Sequence, residues 1–465
     1  MIRNDTICAI STPPGNGAIA LIRLSGDDSF SICQKIVSFS KRKKQLANQK
    51  NATIHYAKII DTENKVIDEV LIYNYKKPHS YTGENMVEIT CHGSVYIQKK
   101  IMELLVKNGS RLAEPGEFTL RAFINGKMDL SQAEAVADLI ASQSKAAHDI
   151  AIQQMRGEFS KKIADLRQQL LHFISLIELE LDFSEENVEF ADRQQLSKII
   201  DEILEMTNYL IRSFELGNVL KNGISVAIVG KPNVGKSTLL NVLLNEEKAI
   251  VSDIPGTTRD TIEDIINING FTFRFIDTAG IRHTTDAIET MGVERTFQSI
   301  RKASIVLLMV DANDTQDNIV KQIKGIELQS NQNIALVVNK IDRFPKNAKE
   351  LKQQLKNNKL VHKILYISAL QRTNLVGITN YLLHTLDEKH YNENDVVISN
   401  VRHYEALTAA AEAGNRVATG LCMHITSDLL AQDIRQMLHY MGIITGEITT
   451  DEILGNIFKN FCIGK

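Results

Sequence analysis

The sequence predicts a multidomain chain, α/β in two parts and all-α in a third. An N-terminal α/β domain comes first, then a helical bundle formed by two chain segments, with a P-loop domain inserted between them. Three observations predict this. Gly230-Lys231-Pro232-Asn233-Val234-Gly235-Lys236-Ser237 follows the apolar run Ser225 to Val229 and opens a helical pattern from Thr238 to Leu244. That is the strand, glycine turn and helix of a phosphate-binding loop. No proline stands between Pro115 and Pro232, and apolar residues keep helical spacing through the stretch. The same spacing resumes at His403, beyond the P-loop region.

In chain order, Ile7 to Ile10, Ala18 to Leu24, Ile54 to Ile60, Val66 to Tyr73 and Met86 to Cys91 read as strands, with helices Ser29 to Val37 and Ser94 to Asn108 between them. Lys41-Arg42-Lys43-Lys44 reads as a solvated loop. Polar clusters punctuate the domain: Thr12-Pro13-Pro14-Gly15-Asn16-Gly17 before the strand carrying Arg23, Ser80-Tyr81-Thr82-Gly83-Glu84 before Glu88 and His92, and Glu114-Pro115-Gly116-Glu117-Phe118 before Arg121 and Lys127. Taken alone, each reads as a turn with surface charges, and His92 as a hydrogen-bonded structural histidine.

Leu130, Ala133, Val136, Ala137 and Ile140 then keep helical spacing, as do Ile163, Leu166, Leu170, Phe173 and Ile177. Asp182 to Arg193 is an acidic break, a solvated loop, before Leu196, Ile199, Ile203, Met206 and Leu210 resume the pattern. Past the P-loop domain, His403 to Arg416 and Ser427 to Met441 are helical, and Thr449 with Glu452 reads as a capping box for a last helix, Ile453 to Phe461. The boundaries expected are 1–120, 121–222, 223–386 and 387–465, the second and fourth forming one bundle.

Chemistry concentrates in the third segment. The two P-loop glycines let backbone amides turn around phosphate oxygens at a helix N-terminus. Lys236 reaches the outer phosphates, and the Ser237 hydroxyl suits Mg2+. Asp277-Thr278-Ala279-Gly280 ends the run Phe271 to Ile276 and fits the second phosphate motif. Asn339-Lys340-Ile341-Asp342 closes Ile334 to Val338. A carboxylate there accepts the N1 and N2 hydrogens of guanine, which adenine does not offer, and this favours GTP. Ser368-Ala369-Leu370, after Ile364 to Ile367, fits the loop behind the base. Four motifs in order predict a Ras-like P-loop GTPase domain.

Ile281 follows Gly280, where Ras-type enzymes place a water-orienting glutamine. Something else must supply that function. Thr258, within Pro255-Gly256-Thr257-Thr258-Arg259-Asp260, suits Mg2+, and Asn233 faces the same region. Either a monovalent cation held by Asn233 and switch carbonyls, or Arg259 itself, supplies the neutralising charge.

Composition bounds the partners. The 465 residues suggest about three domains, and 43% hydrophobic content is ordinary for a globular core. A net charge of −3 excludes a basic nucleic-acid wrapper, so RNA contact must be local or made by a partner. Cys8, Cys33, Cys91, Cys422 and Cys462 are scattered and odd in number, which argues against a disulfide framework or a zinc site. The apolar runs are too short to span a bilayer, and Met1 to Asp5 lacks signal-peptide character. A soluble cytoplasmic protein is expected.

The chain resembles the MnmE (TrmE) family of tRNA-modification GTPases. The resemblance runs end to end, through Thr12-Pro13-Pro14-Gly15, Tyr81-Thr82-Gly83-Glu84, Pro115-Gly116-Glu117-Phe118, the nucleotide motifs, Gly256-Thr257-Thr258-Arg259-Asp260 and Phe461-Cys462-Ile463-Gly464-Lys465. It implies a homodimer joined by a folate-binding N-terminal domain, working with a flavoprotein partner, MnmG, in a heterotetramer-type complex. That complex would add aminomethyl or carboxymethylaminomethyl groups to C5 of the wobble uridine of tRNA. The one-carbon donor would be 5,10-methylene-tetrahydrofolate, with 5-formyl-tetrahydrofolate as its analogue.

By the same resemblance, K+ falls to Asn233, Ser252, Ile254 and Thr257, and Mg2+ to Ser237 and Thr258. GTP contacts fall to residues 233–238, namely Asn233, Val234, Gly235, Lys236, Ser237 and Thr238, and in switch I to Ser252, Asp253, Ile254, Pro255, Gly256, Thr257 and Thr258. Asp277, Thr278, Ala279, Gly280, Asn339, Lys340, Asp342, Ser368 and Ala369 complete that set. Glu289, with Asn233 and Lys236, would serve hydrolysis. Arg23, Glu88, Lys127 and Lys465 would hold folate, whose carboxylates suit cations and whose pterin N–H groups suit a carboxylate. Cys462 is either a thiol with a role at the modification site or a small residue packed under Phe458 or Phe461; Gly464 and Lys465 exclude a prenylation signal. A GTP-dependent RNA-binding switch in ribosome assembly is the alternative, but no KH-type GXXG loop is evident. A folate-storage or sensing protein is weaker, because it leaves the nucleotide domain without a task.

Overall fold

The computed structural model of the chain describes residues 5–39, 45–182, 192–246, 264–276, 300–326, 329, 332–355, 361–387, 396–459 and 461–464. Two units emerge: Met1–Ala141 with Ala151–Asn208 and Glu405–Lys465, and Ser142–Ile150 with Tyr209–Tyr404. The basic run 41–44, most of the acidic break, both switch regions with Ser252 to Arg259, Asp277 to Ile281 and Glu289, and Lys465 lie outside the described residues.

The first unit begins with β1 (Ile7–Ile10), β2 (Ile19–Ser25), α1 (Ser29–Ile36), β3 (Val37–Ser38), β4 (Thr53–Ile60), β5 (Val66–Tyr75), β6 (Met86–His92), α2 (Val95–Lys107), β7 (Arg111–Leu112) and α3 (Glu117–Ile124). The strands form one sheet in the order β3-β4-β5-β6-β2-β1-β7, antiparallel except for the β1–β7 pair. Period-two alternation sets its faces. Ile22, Leu24, Ile59, Val70, Ile72 and Ile89 point to one face and pack with Phe30 and Ile36 of α1 and Ile101 and Leu105 of α2. Truncating one such buried isoleucine to alanine costs about 2–5 kcal/mol.

The opposite face carries Arg23 directly across from Glu88. Farther along it, Ile19, Ile54, Tyr56 and Leu71 are exposed. In this sheet the strands expected from the sequence lie within two residues of those observed, while the two-residue β3 and β7 were not expected. The sequence reading also took residues 117–124 for a charged turn, whereas they form α3.

Four helices follow: α4 (Leu130–Ala141), α5 (Lys145–Arg156), α6 (Glu158–Asp182) and α7 (Arg193–Asn222). All five α6 residues expected to be apolar-facing are buried. The expected α4 stripe is only half right. Leu130 and Ala133 are buried, but Ile140 is 44% exposed and Glu134 and Ala135 turn inward instead. Hydropathy alone did not reveal that Gln132 and Ser131 bond to Met155 and Gln154 of α5 and set the helix rotation.

The second unit is a doubly wound sheet built from β8 (Ile224–Val229), α8 (Lys236–Glu246), β9 (Asp264–Ile268), β10 (Phe271–Phe275), β11 (Ile305–Asp311), α9 (Gln316–Lys324), β12 (Asn333–Asn339), α10 (Pro345–Gln354), β13 (Lys363–Tyr366) and α11 (Val376–Asp387). Strand order is β13-β12-β11-β8-β10-β9, and only the β9–β10 pair is antiparallel. Central strands such as IVLLMV in β11 are apolar on both faces, as a parallel sheet covered by helices requires. One face packs on Leu239, Leu243, Ile378 and Leu382, the other on Ile319, Ile323, Ala348 and Leu351.

Three helices close the chain: α12 (Val401–Met423), α13 (Ser427–Thr445) and α14 (Asp451–Phe458). In the first unit α13 lies on α6: Arg435 pairs with Glu178 at 2.6 Å, and Arg167 pairs with Glu447 while donating to Leu438 O at 3.4 Å. The bundle is therefore built from two chain segments, as expected. The cap of α14 differs by one residue. Thr450, not Thr449, is the N-cap, and its hydroxyl accepts from Ile453 N at 3.3 Å. With Thr450 as N-cap the third helical position is Ile453, so Glu452 falls at the second and the expected capping box does not form. With Thr450 as cap, Phe458 turns into a cluster with Leu130, Ala133 and Phe461.

Candidate functional site

The P-loop leaves the carboxyl end of β8, between β11 and β10, where a doubly wound sheet opens a crevice. α8 begins at Lys236, so the loop residues sit at a helix N-terminus. Gly235 has φ +106, and a Cβ there would collide with Asn339 Nδ2; a side chain is excluded by conformation and by space. Asn233 adopts φ +61, a left-handed conformation asparagine tolerates. Lys236 Nζ donates to Gly230 O at 2.8 Å and Lys231 O at 2.9 Å, and burial holds its ammonium below the ordinary lysine pKa. Val234 is buried, so only its backbone is available to a ligand.

The two motifs expected to read the base meet the P-loop through Asn339. Its Nδ2 donates to Val234 O at 2.8 Å, and its Oδ1 accepts from Ala369 N at 2.9 Å. One side chain therefore joins the P-loop to the Ser368-Ala369 loop. That loop is shaped by paired backbone bonds between Ser368 and Thr373 and by Gln371 N donating to Ser368 Oγ. Lys340, at φ +65, pairs with Asp311 at 2.7 Å. Asp311 went unnoticed in the sequence, although it ends an apolar run as the other motifs do. Asp342 Oδ1 is buried with no hydrogen-bond partner among the described residues. An orphaned carboxylate oxygen beside this brace suits a ligand carrying N–H donors.

The N-terminal candidates fall into two groups. Arg23 and Glu88 meet: Nε and Nη2 both donate to Glu88 Oε1, at 2.9 and 2.8 Å, with only 14% and 15% of each side chain exposed. Arg23 Cζ lies 5.3 Å from the centre of the Tyr81 ring and 5.7 Å from that of Phe118. Lys127 instead packs on Gly83 and donates to Pro78 O at 3.1 Å, on the loop that carries Tyr81.

The C-terminal segment docks on the same ground. Gly464 O accepts from Ser11 Oγ at 3.0 Å and from Arg23 Nη1 at 3.3 Å, and Gly116 N donates to Cys462 O at 3.4 Å. Gly464 holds φ +94, and a Cβ would stand 2.5 Å from Ile10 O. Cys462 is exposed, which does not fit the alternative of a small residue packed beneath Phe458 or Phe461; those two rings pack on each other, with centroids 5.0 Å apart. All five cysteines are free. His92 is the hydrogen-bonded histidine expected: its Nδ1 lies 2.7 Å from Asp68 Oδ1. Among the described residues no helix is long and apolar enough to cross a membrane, and no group of three His, Cys, Asp or Glu could hold a metal.

Known proteins resemble this chain over its whole length. The profile of the MnmE helical domain matches residues 130–462, and that of the "GTP-binding protein TrmE N-terminus" matches residues 6–127. A protein of Bacteroides thetaiotaomicron called tRNA modification GTPase MnmE is 54% identical over 468 residues, covering 100% of both chains. The chain belongs to the MnmE family of tRNA modification GTPases. An MnmE of Flavobacterium johnsoniae is 51% identical over 470 residues with 100% of each chain covered, and one of Cytophaga hutchinsonii 50% over 463, covering 99% of this chain and 98% of its own. The resemblance noticed in the motifs thus extends through the helices between them.

Proposed function

We propose that the chain is a K+-stimulated GTP hydrolase. Together with the flavoprotein MnmG, it installs aminomethyl or carboxymethylaminomethyl groups at C5 of the wobble uridine of tRNA, drawing on a methylene-tetrahydrofolate. The observation that carries the guanine half is the buried, unpartnered Asp342 Oδ1 beside the Asn339 brace. Taking the N1–H and N2–H of guanine would satisfy an oxygen that is otherwise costly to bury. Lys236 and the amides of the α8 N-terminus bind the phosphates. Ser237 and Thr258 would hold Mg2+, and Asn233, Ser252, Ile254 and Thr257 would hold K+. These ions supply the positive charge that Ile281 and its neighbours do not. Glu289 orients the attacking water through a second water.

In the N-terminal domain, 1–120, the Arg23–Glu88 pair under Tyr81 and Phe118 suits a flat heterocycle with N–H groups and carboxylates. Glu88 Oε2 and the Arg23 hydrogens not spent on Glu88 Oε1 and Gly464 O would bind it, with Lys127 and Lys465 as further cations. Cys462 is exposed on the segment whose Gly464 O accepts from Arg23, which supports a role for its thiol at this site. The uncovered Ile19, Ile54, Tyr56 and Leu71 support pairing of two copies through this sheet. The helical segments 121–222 and 387–465 link it to the nucleotide domain, 223–386. The protein acts in the cytoplasm, on tRNA.

Mass analysis of wobble uridine in tRNA from cells lacking the chain tests the whole reading. Loss of the modified nucleoside, restored by the intact gene, is expected; normal modification overturns it.

A further inference from the structure

Arg121 is only 4% exposed, although the sequence reads it as one of several surface charges. Its guanidinium donates to Asp5 Oδ1 at 2.7 Å, to Glu117 Oε1 at 3.0 Å and to both Glu84 oxygens at 3.3 Å. Arg111 closes the other side, 2.7 Å from Asp5 Oδ2 and 2.6 Å from Glu117 Oε1. Glu84 carries the cluster on to Ser25 Oγ at 2.6 Å, which lies 2.6 Å from Thr82 Oγ1. Three carboxylates thus meet two guanidiniums, with Arg121 and Glu117 largely shielded from water and Asp5 and Arg111 at the edge of the cluster. Such a cluster is a poor means of adding stability, since desolvation offsets much of the attraction and apolar residues of similar volume often do as well. What it does well is fix direction, because a guanidinium bonds in a plane with a set fork.

The positions it fixes adjoin the two rings beside Arg23. Glu117 precedes Phe118, while Thr82 and Glu84 continue the loop that carries Tyr81. Tyr81 Oη lies 2.8 Å from Thr119 Oγ1, so the two walls are also tied to each other. We propose that Arg121 is a positioning residue for Arg23. It fixes Phe118 through Glu117 and Tyr81 through Glu84, and so sets the pose of the Arg23 guanidinium against Glu88. This deepens the reading of the Arg23 site given above and rests on it. Arg111 bonds Asp5 and Glu117 but not Glu84, so it holds one wall, whereas Arg121 holds both.

Titration of the full-length chain with 5-formyl-tetrahydrofolate tests this. Arg121→Lys keeps the charge and loses the fork. It is expected to raise Kd about 10-fold or more, as small misplacements of binding groups do, while GTP turnover stays at the wild-type rate. Arg111→Lys should have a smaller effect. Glu84→Gln, a gentler change, is expected to weaken binding several-fold, and it carries the test alone if Arg121→Lys melts below the assay temperature. The losses from Arg121→Lys and Phe118→Leu should fall short of additive in a double-mutant cycle, because one acts through the other. Unchanged Kd in the folded variants, or strictly additive losses, overturns the positioning role. A wild-type chain that does not bind the folate at all overturns the ligand reading instead, and this proposal with it.

Discussion

Asn339 Nδ2 donates to the carbonyl of Val234 at 2.8 Å, so the residue that opens the guanine motif also holds the phosphate loop. The same amide accepts from Ala369 N, in the loop proposed to back the base. Affinity for the two ends of the nucleotide is therefore not separable at this side chain. Asn339→Ala would leave a buried carbonyl and a buried amide unpaired, at about 1–3 kcal/mol each. The expected outcome is a GTP Kd raised roughly 10-fold or more together with a lower melting temperature, read by nucleotide titration and calorimetry.

Asp342 offers a sharper test of base identity. An amide in its place still accepts from N1–H, but it presents an N–H toward C2, where guanine carries an amino group and xanthine an oxygen. Asp342→Asn should lose about 2–3 kcal/mol of GTP affinity, as charged hydrogen bonds do, and gain turnover of XTP. Unaltered GTP preference would exclude Asp342 from base recognition.

The charge at the phosphates can be tested with salt alone. GTP turnover in K+ should exceed that in Na+ at equal ionic strength by roughly 10-fold or more, in line with the loss of one oxyanion donor elsewhere. Asn233→Ala should bind nucleotide and lose the difference. Equal rates in the two salts would return Arg259 to consideration.

Docking of the C-terminal segment depends on a left-handed glycine. Gly464→Ala puts a methyl against Ile10 O and costs about 1–2 kcal/mol in conformation alone. The amide of Gly116, which donates to Cys462 O, should then exchange with solvent faster by about 10-fold. Hydrogen exchange followed by mass spectrometry reads this directly.

Thiol chemistry separates the cysteines. Burial pushes Cys33 up to about 12 and Cys91 up to about 11, and raises Cys8 as well. At pH 8 the thiolate fractions of Cys33 and Cys91 are negligible, and raising the pH increases them only near those values. Native protein should therefore label at Cys422 and Cys462 alone, with the other three reacting after denaturation.

The strands that precede the nucleotide motifs, β8, β10, β12 and β13, were legible because each is an apolar run, whereas β9 and β11 were not expected. Asn339 and Asp342 could be named from spacing alone. What could not be read was the tie between Asn339 and Val234, since sequence carries no information on which distant carbonyl an amide will meet. The N-terminal domain shows the limit more sharply. Arg121 looked like any surface charge, because its partners Asp5 and Glu84 are remote in sequence and only the folded sheet brings three carboxylates to it. Ile140 failed for a related reason. An apolar stripe gives a helix its period, but its rotation is set by the polar bonds Gln132 and Ser131 make to the next helix.

The bond from Arg23 to Gly464 joins residues 441 positions apart. At ribosomal speeds of about 5–20 residues per second, the first strands emerge roughly 20–90 s before the carbonyl they wait for. The entire nucleotide-binding unit is made in the interval. An early-synthesised sheet thus remains unfinished until Gly464 has been made, and chains truncated between the nucleotide unit and Gly464 would carry a competent P-loop without a completed Arg23 site.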